Sequence, residues 1–297
     1  MTRLSFFSNT DSFSEREKMI LEYVRARQAR CRDETVSVEE LFYMDQWDSY
    51  ARKTGDEELP LAELEISHYA ETQLLTRLKM PASYIYRCPP GLKASNVNHW
   101  IKHFSSKQVM LRFEDNAVRA IFSSRFSTDL DDHELVPVVL DTLKASYHPD
   151  KVDILYFGQD RDFTVMEILF SDTKIKHNEE EYAPGIMIVN SEVGRSSIWV
   201  RPFIKLISGG RPFSLTRAYS FTDSRNEGSI SIRHVGQLSA ERLKKAILQA
   251  KEVAEAGVHR LLEAGTEKIW NPIPLKHENK YSRTGDTGNG TDHKSFQ

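Results

Sequence analysis

The chain has 297 residues, 39% apolar and 28% charged, which is room for one large or two small soluble globular domains and unlike a disordered or fibrous chain. No apolar run reaches the roughly 20 residues of a membrane span, the N-terminus lacks a signal-peptide core, and Cys31 and Cys88 are too few for a disulfide framework. Forty basic against 43 acidic residues leave a net charge of -3, so attraction to nucleic acid has to come from a local patch.

Ser14 followed by Glu17 is a capping-box pattern, and Ile20, Tyr23, Val24 and Arg27 continue at helical spacing, which predicts a helix over 14–31. Ser37 with Glu40 repeats the box before Leu41, Phe42 and Tyr43. Residues 51–60 combine Gly55, Pro60 and a charge run, and read as a loop. Ser67 caps a helix carrying Tyr69, Leu74, Leu75 and Leu78, which has to end before Pro81. Another spans 92–104, with Val97, Trp100, Ile101 and Phe104 on one face.

From residue 107 the pattern turns to strands. Gln108–Phe113 and Ala117–Phe122 flank Glu114-Asp115-Asn116 as a hairpin. Asp131 or Asp132 caps a helix with Leu135, Val138, Val139 and Leu143. Six strands follow at 152–157, 163–170, 186–190, 197–207, 214–221 and 229–235, with linkers too short for helical crossovers. Residues 239–264 give the clearest helix, with Leu243, Ile247, Ala250, Ala254 and Val258 on one stripe. The expected fold class is α+β: a helical N-terminal third, then an antiparallel curved sheet with a long C-terminal helix packed on it. The expected organisation is an N-terminal helical extension (1–60), a core domain (61–266) and a disordered tail (267–297).

Catalytic signals are weak. His99 and His103 share a helix face, but Trp100 stands where an HExxH motif needs Glu. The acidic run at 129–134 lacks the glycine and terminal Glu of a calcium loop, and helix capping explains its aspartates. No phosphate-binding glycine loop and no nucleophile elbow appear, and Cys88 lacks a base partner. No catalytic residue, metal or cofactor is expected.

The charged strands say more. Arg195, Arg201, Lys205, Arg211, Arg217, Arg225 and Arg233 face only Asp223 and Glu227, and Trp199, Phe203, Phe213, Tyr219 and Phe221 are interleaved with them. Arginine pairs with phosphate, and exposed aromatics stack unpaired bases. Alternation would instead put the rings in the core and the arginines in solvent. Trp199, Arg201 and Phe203 share strand parity, however, so one face carries both types, with Pro202 marking an edge or bulge. Together with Arg112, Arg119 and Arg125 these residues form the candidate nucleic-acid surface. A helix-turn-helix over 67–87 is too short in its second piece to read bases.

Leu74–Trp100 (LLTRLKMPASYIYRCPPGLKASNVNHW), Val118–Asp131 (VRAIFSSRFSTDLD) and Gly185–Gly210 (GIMIVNSEVGRSSIWVRPFIKLISGG) resemble, in order and spacing, the phage/plasmid-like domain-of-unknown-function family 932, over roughly 60–250. Asn190-Ser191-Glu192-Val193-Gly194 and the Ser-Arg-Phe block at 124–126 are the most specific parts. Where that family commonly has a Cys-x-Asn-Gly-like turn, this chain has Ile207-Ser208-Gly209-Gly210, so no role of that cysteine carries over. The resemblance implies a bacterial or phage-infected cytosol and a DNA-handling neighbourhood. On the residues themselves, Asn190, Ser191, Glu192 and Gly194 form a hairpin tip that either shapes the loop or rims a ligand site.

The leading expectation is a non-enzymatic mobile-element protein binding nucleic acid, single-stranded DNA first, in recombination or annealing. The alternatives are a protein-interaction module or homo-oligomer without nucleic-acid affinity, and a metal-dependent nuclease using Asp131, Asp132 and Glu167. No membrane partner is expected.

Overall fold

Two sheets, each backed by helices on one face, account for the alternating and periodic segments of the chain. The computed structural model describes residues 11–45, 49–53, 62–105, 107–123, 125–177, 180–208, 211–214, 228–235 and 239–264. Helix α1 (Phe13–Gln28) leads into β1 (Cys31–Ser37), β2 (Leu41–Met44), β3 (Ser49–Arg52) and β4 (Ala62–Ile66). Helices α2 (His68–Arg77), α3 (Ala82–Ile85) and α4 (Pro90–His103) follow, then β5 (Gln108–Glu114) and β6 (Ala117–Ser123). These strands form a six-stranded sheet in the order β1-β5-β6-β4-β3-β2, antiparallel except where β4 runs parallel to β6. Leu74, Leu75, Ile85, Val97 and Ile101 bring α2, α3 and α4 onto Leu111, Phe113, Val118 and Ile121 of this sheet.

Helix α5 (Asp132–Ser146) opens the second half. Strands β7 (Val152–Gln159), β8 (Thr164–Phe170), β9 (Ile175–His177), β10 (Glu180–Asn190), β11 (Ile198–Ser208), β12 (Arg211–Ser214) and β13 (Ile230–Ile232) precede α6 (Ala240–Ala264). The second sheet runs β12-β11-β10-β8-β7, with β13 beside β11 and β9 beside β10. Ile20 and Val24 of α1, Leu135 and Val139 of α5, and Leu243 and Ile247 of α6 cover Ile154, Ile168, Ile186 and Val200. On the opposite face the Phe203 ring lies over Gly185, where any Cβ would come within 2.4 Å of it. Among the described residues no helix is long and apolar enough to cross a membrane.

The α+β class holds, with the C-terminal helix packed on an antiparallel sheet. The helical N-terminal third does not: it carries β1 to β4, four of the six strands of the first sheet. The reason is local. Strand β1, CRDETVS, buries only Val36 and so reads as a polar loop. The Ser37–Glu40 box forms, but it caps one 3₁₀ turn (Val38–Glu40) before the chain extends into β2. The first helix uses the box Ser12–Glu15 in place of Ser14–Glu17. Residues 215–221 of the strand expected at 214–221, and the tail from 267, lie outside the described residues.

Candidate functional site: a buried charge network between the sheets

Arg112 occupies the middle of β5, directly opposite Asp33 of β1 in the antiparallel register. A bulge then lets Arg112 pair with Ala120 and Phe113 with Val118, so that Arg119 is the extra residue of β6. Such an insertion re-aims side chains, and here it brings a second guanidinium beside the first. Both point away from the α2–α4 core, toward the second half of the chain.

Arg112 is only 3% exposed, and all five of its N–H groups have acceptors. Nε and Nη2 donate to the Asp33 carboxylate at 2.9 and 2.7 Å. Nη1 and Nη2 donate to Asp131 at 2.9 and 2.5 Å, and Nη1 also reaches the Glu192 carbonyl oxygen at 2.8 Å. Burial works against its charge, but the pairing with Asp33 and Asp131 prevails and raises its pKa. Arg119 places Nε 3.1 Å from Glu114 and Nη1 3.5 Å from Glu192, and donates to the Arg161 carbonyl oxygen at 2.7 Å.

The second half answers with the N-terminus of α5 and the loop after β10. Glu192 accepts the Asp132 backbone N–H at 2.9 Å, placing a carboxylate at the positive end of the helix. Asp132, 3% exposed, accepts from Gln159 Nε2 at 2.5 Å, from Asn190 Nδ2 at 2.7 Å and from the Thr164 hydroxyl. Burial, reinforced by Glu192, pushes Asp132 up to about 6. Burial also pushes Asp131 up to about 7 against the pull of Arg112, and raises the Cys31 thiol.

The Asn190–Gly194 loop is the keystone of this network. Ser191 Oγ donates to the Asp162 carbonyl oxygen at 2.8 Å and accepts from the Arg195 N–H at 3.0 Å. Gly194 has φ +76°, and a Cβ there would press on Phe122 and Phe126 at 3.2 and 3.3 Å. The Gln73 side chain of α2 donates to the Val193 carbonyl oxygen and accepts from Ile121 N–H, tying loop, helix and sheet together. Of the two readings of this hairpin tip, the geometry fits the structural one. A cavity of about 60 Å³, lined by Gln28, Cys31, Arg32, Asp33, Arg112, Asp131 and Glu192, is the opening beside the network. It has room for a water molecule or two, not for a nucleotide.

Compared with family models, curated proteins and solved structures, the chain matches none.

Among the described residues, those expected to bind nucleic acid do not gather on one surface. Arg112 and Arg119 are internal ion-pair partners. Phe203 and Lys205 are buried on the outer face of the second sheet, beside half-buried Trp199 and Arg201, whose guanidinium lies 4.7 Å from the indole centroid. Arg195 pairs with Asp162 at 2.7 Å and lies 4.1 Å over the Tyr69 ring. Arg125 is exposed, the Arg211 side chain is not described, and Arg217 lies outside the described residues. The nuclease carboxylates do not converge either. Asp132 meets Thr164 on β8, whereas Glu167 has the opposite strand parity and faces Lys205. Among the described residues no group of three or more His, Cys, Asp or Glu is arranged to hold a metal.

Sequence reasoning missed Asp33, Gln73, Gln159 and Thr164, whose roles come from strand register and loop closure. It also missed a charge asymmetry that is visible in the sequence. Residues 67–107, the helical layer over the first sheet, hold Arg77, Lys79, Arg87, Lys93, Lys102 and Lys107 against the single acidic Glu71.

Proposed function

We propose that the chain is a non-enzymatic nucleic-acid-binding protein whose contact surface is the α2–α4 layer, not the strands. The observation that carries this reading is the state of the six basic side chains. Lys93 takes Glu71 at 3.1 Å, while Arg77, Lys79, Arg87, Lys102 and Lys107 have no carboxylate partner among the described residues. All five but the half-buried Arg77 are exposed. A chain of net charge -3 that concentrates unpaired cations on one helical layer presents a local field suited to a phosphate backbone. The buried network serves this surface by holding α2 against the second half through Gln73. The role we propose for the chain is DNA handling in a bacterial or phage-infected cytosol, in recombination or annealing.

A second reading, a protein-interaction module, is favoured by two side chains of the same layer. Tyr84 and Leu92 are 46% and 47% exposed, an apolar pair available to a partner protein.

Salt dependence separates the two. Each phosphate contact on a single strand contributes roughly -0.7 to the slope of log affinity against log salt, so five contacts give about -3 to -4. Lys79→Ala, Lys102→Ala and Lys107→Ala should each flatten that slope by about one contact's share. Salt-independent binding, or no binding at low salt, would remove the nucleic-acid reading and leave the interaction module.

A further inference from the structure

We propose that the C-terminal end of α4 is a base-stacking site, which makes the helical layer a binder of single-stranded rather than duplex nucleic acid. This rests on the reading of that layer as a nucleic-acid surface and names the substrate class it takes.

Four aromatic side chains meet there. The Trp100 ring lies 5.6 Å from His99 and 5.2 Å from His103, both edge-on, and 6.0 Å from Phe104 in a stacked arrangement. His103 meets Phe104 at 5.0 Å. Trp100 and Phe104 are seated with one side on the core of the first sheet, and His99 and His103 are exposed. The result is a cluster of rings anchored through Trp100 and Phe104 and exposed at the two histidines. Rings held in place by a core lose little freedom when a base lands on them.

Cations surround the cluster. Lys107 Nζ is 3.9 Å and Lys79 Nζ 5.9 Å from the Phe104 centroid, and Lys102 projects from the same helix between the two histidines in sequence. None of these three lysines has a carboxylate partner among the described residues. Packing explains the inner edges of Trp100 and Phe104, and the helix dipole favours a cation at Lys102. Neither explains why four rings at positions 99, 100, 103 and 104 share one end of the helix with three unpaired ammonium groups. Base faces and phosphates together do, because every base offers a π face and every linkage a charge. In a duplex those faces are already stacked on one another, so only an unpaired strand can use the cluster.

The test uses the full chain and three fluorescent probes of equal length: oligothymidylate, the same backbone without bases, and a duplex. Oligothymidylate should bind at least about fivefold more tightly than the abasic strand, as expected for one or two stacked bases. The double variant His99→Ala/His103→Ala, which changes exposed side chains only, should narrow that gap while leaving the salt slope unchanged. Trp100→Leu, which keeps an apolar side chain against the core, should narrow it further. Equal affinity for the thymidylate and abasic strands would overturn the stacking site and leave the charged surface intact. A gap that persists in both variants would place stacking elsewhere and overturn it as well. Failure of all three probes to bind at low salt would instead defeat the reading on which the inference rests.

Discussion

Asp132 shows how much of this molecule's polar chemistry is internal. Its carboxylate receives three side-chain donors inside a region closed to solvent, next to Glu192, and burial pushes it up to about 6. The native state therefore binds this proton more tightly than the unfolded chain. Below about pH 4 both states are protonated and the contribution is full, and it is lost as pH rises through about 6. Asp132→Asn should remove this dependence, because the Gln159 and Asn190 amides carry unpartnered oxygens that a rotated amide can offer to the new N–H₂ group. Urea midpoints at pH 4 and pH 8 check it: the variant should gain on the parent chain as pH rises. A constant difference at both pH values would mean that Asp132 does not titrate with folding.

Elements with strong periodicity were legible in the sequence, and those defined by pairing were not. The α6 stripe, the Ser67 cap and the hairpin turn at 114–116 are local signals, and each forms nearly where the spacing puts it. Strand β1 exists because β5 pairs with it along its whole length, and the bulge at Arg119 exists because of register, which no local pattern encodes. The parity of Trp199, Arg201, Phe203 and Lys205 was readable, but not the fact that Gly185 makes room for Phe203 across the sheet. The end of α2 offers a test in which fold and binding separate. Lys79 has φ +58°, a left-handed position that favours glycine after a helix, with the Met80 N–H returning to the Leu75 carbonyl oxygen at 2.8 Å. Lys79→Gly should raise stability by about 1 kcal/mol by relieving that conformation, while weakening nucleic-acid binding through the lost charge. Thermal melts and binding isotherms of the one variant should thus move in opposite directions; weaker binding together with lower stability would point to a damaged fold.

At the scale of the whole molecule, two groups of basic residues stand apart by their surroundings. Arg112 and Arg119 join the halves: Arg112 binds Asp131 at the start of α5 and the Glu192 carbonyl oxygen, and Arg119 binds the Glu192 carboxylate and the Arg161 carbonyl oxygen. Arg77, Lys79, Arg87, Lys102 and Lys107, which have no carboxylate partner among the described residues, lie on the outer helices of the first sheet and in the turns that follow them. A charge census over the sequence cannot separate these populations, because burial and pairing decide which cations remain free to meet a ligand. Hydrogen exchange with and without an oligothymidylate strand separates them directly. Added strand should slow exchange in α2–α4, most of all at the C-terminal turns of α4 around Trp100, and leave β11 unchanged. Protection at Trp199–Lys205 of β11 with none in α2–α4 would contradict the assignment of the contact surface to the helical layer.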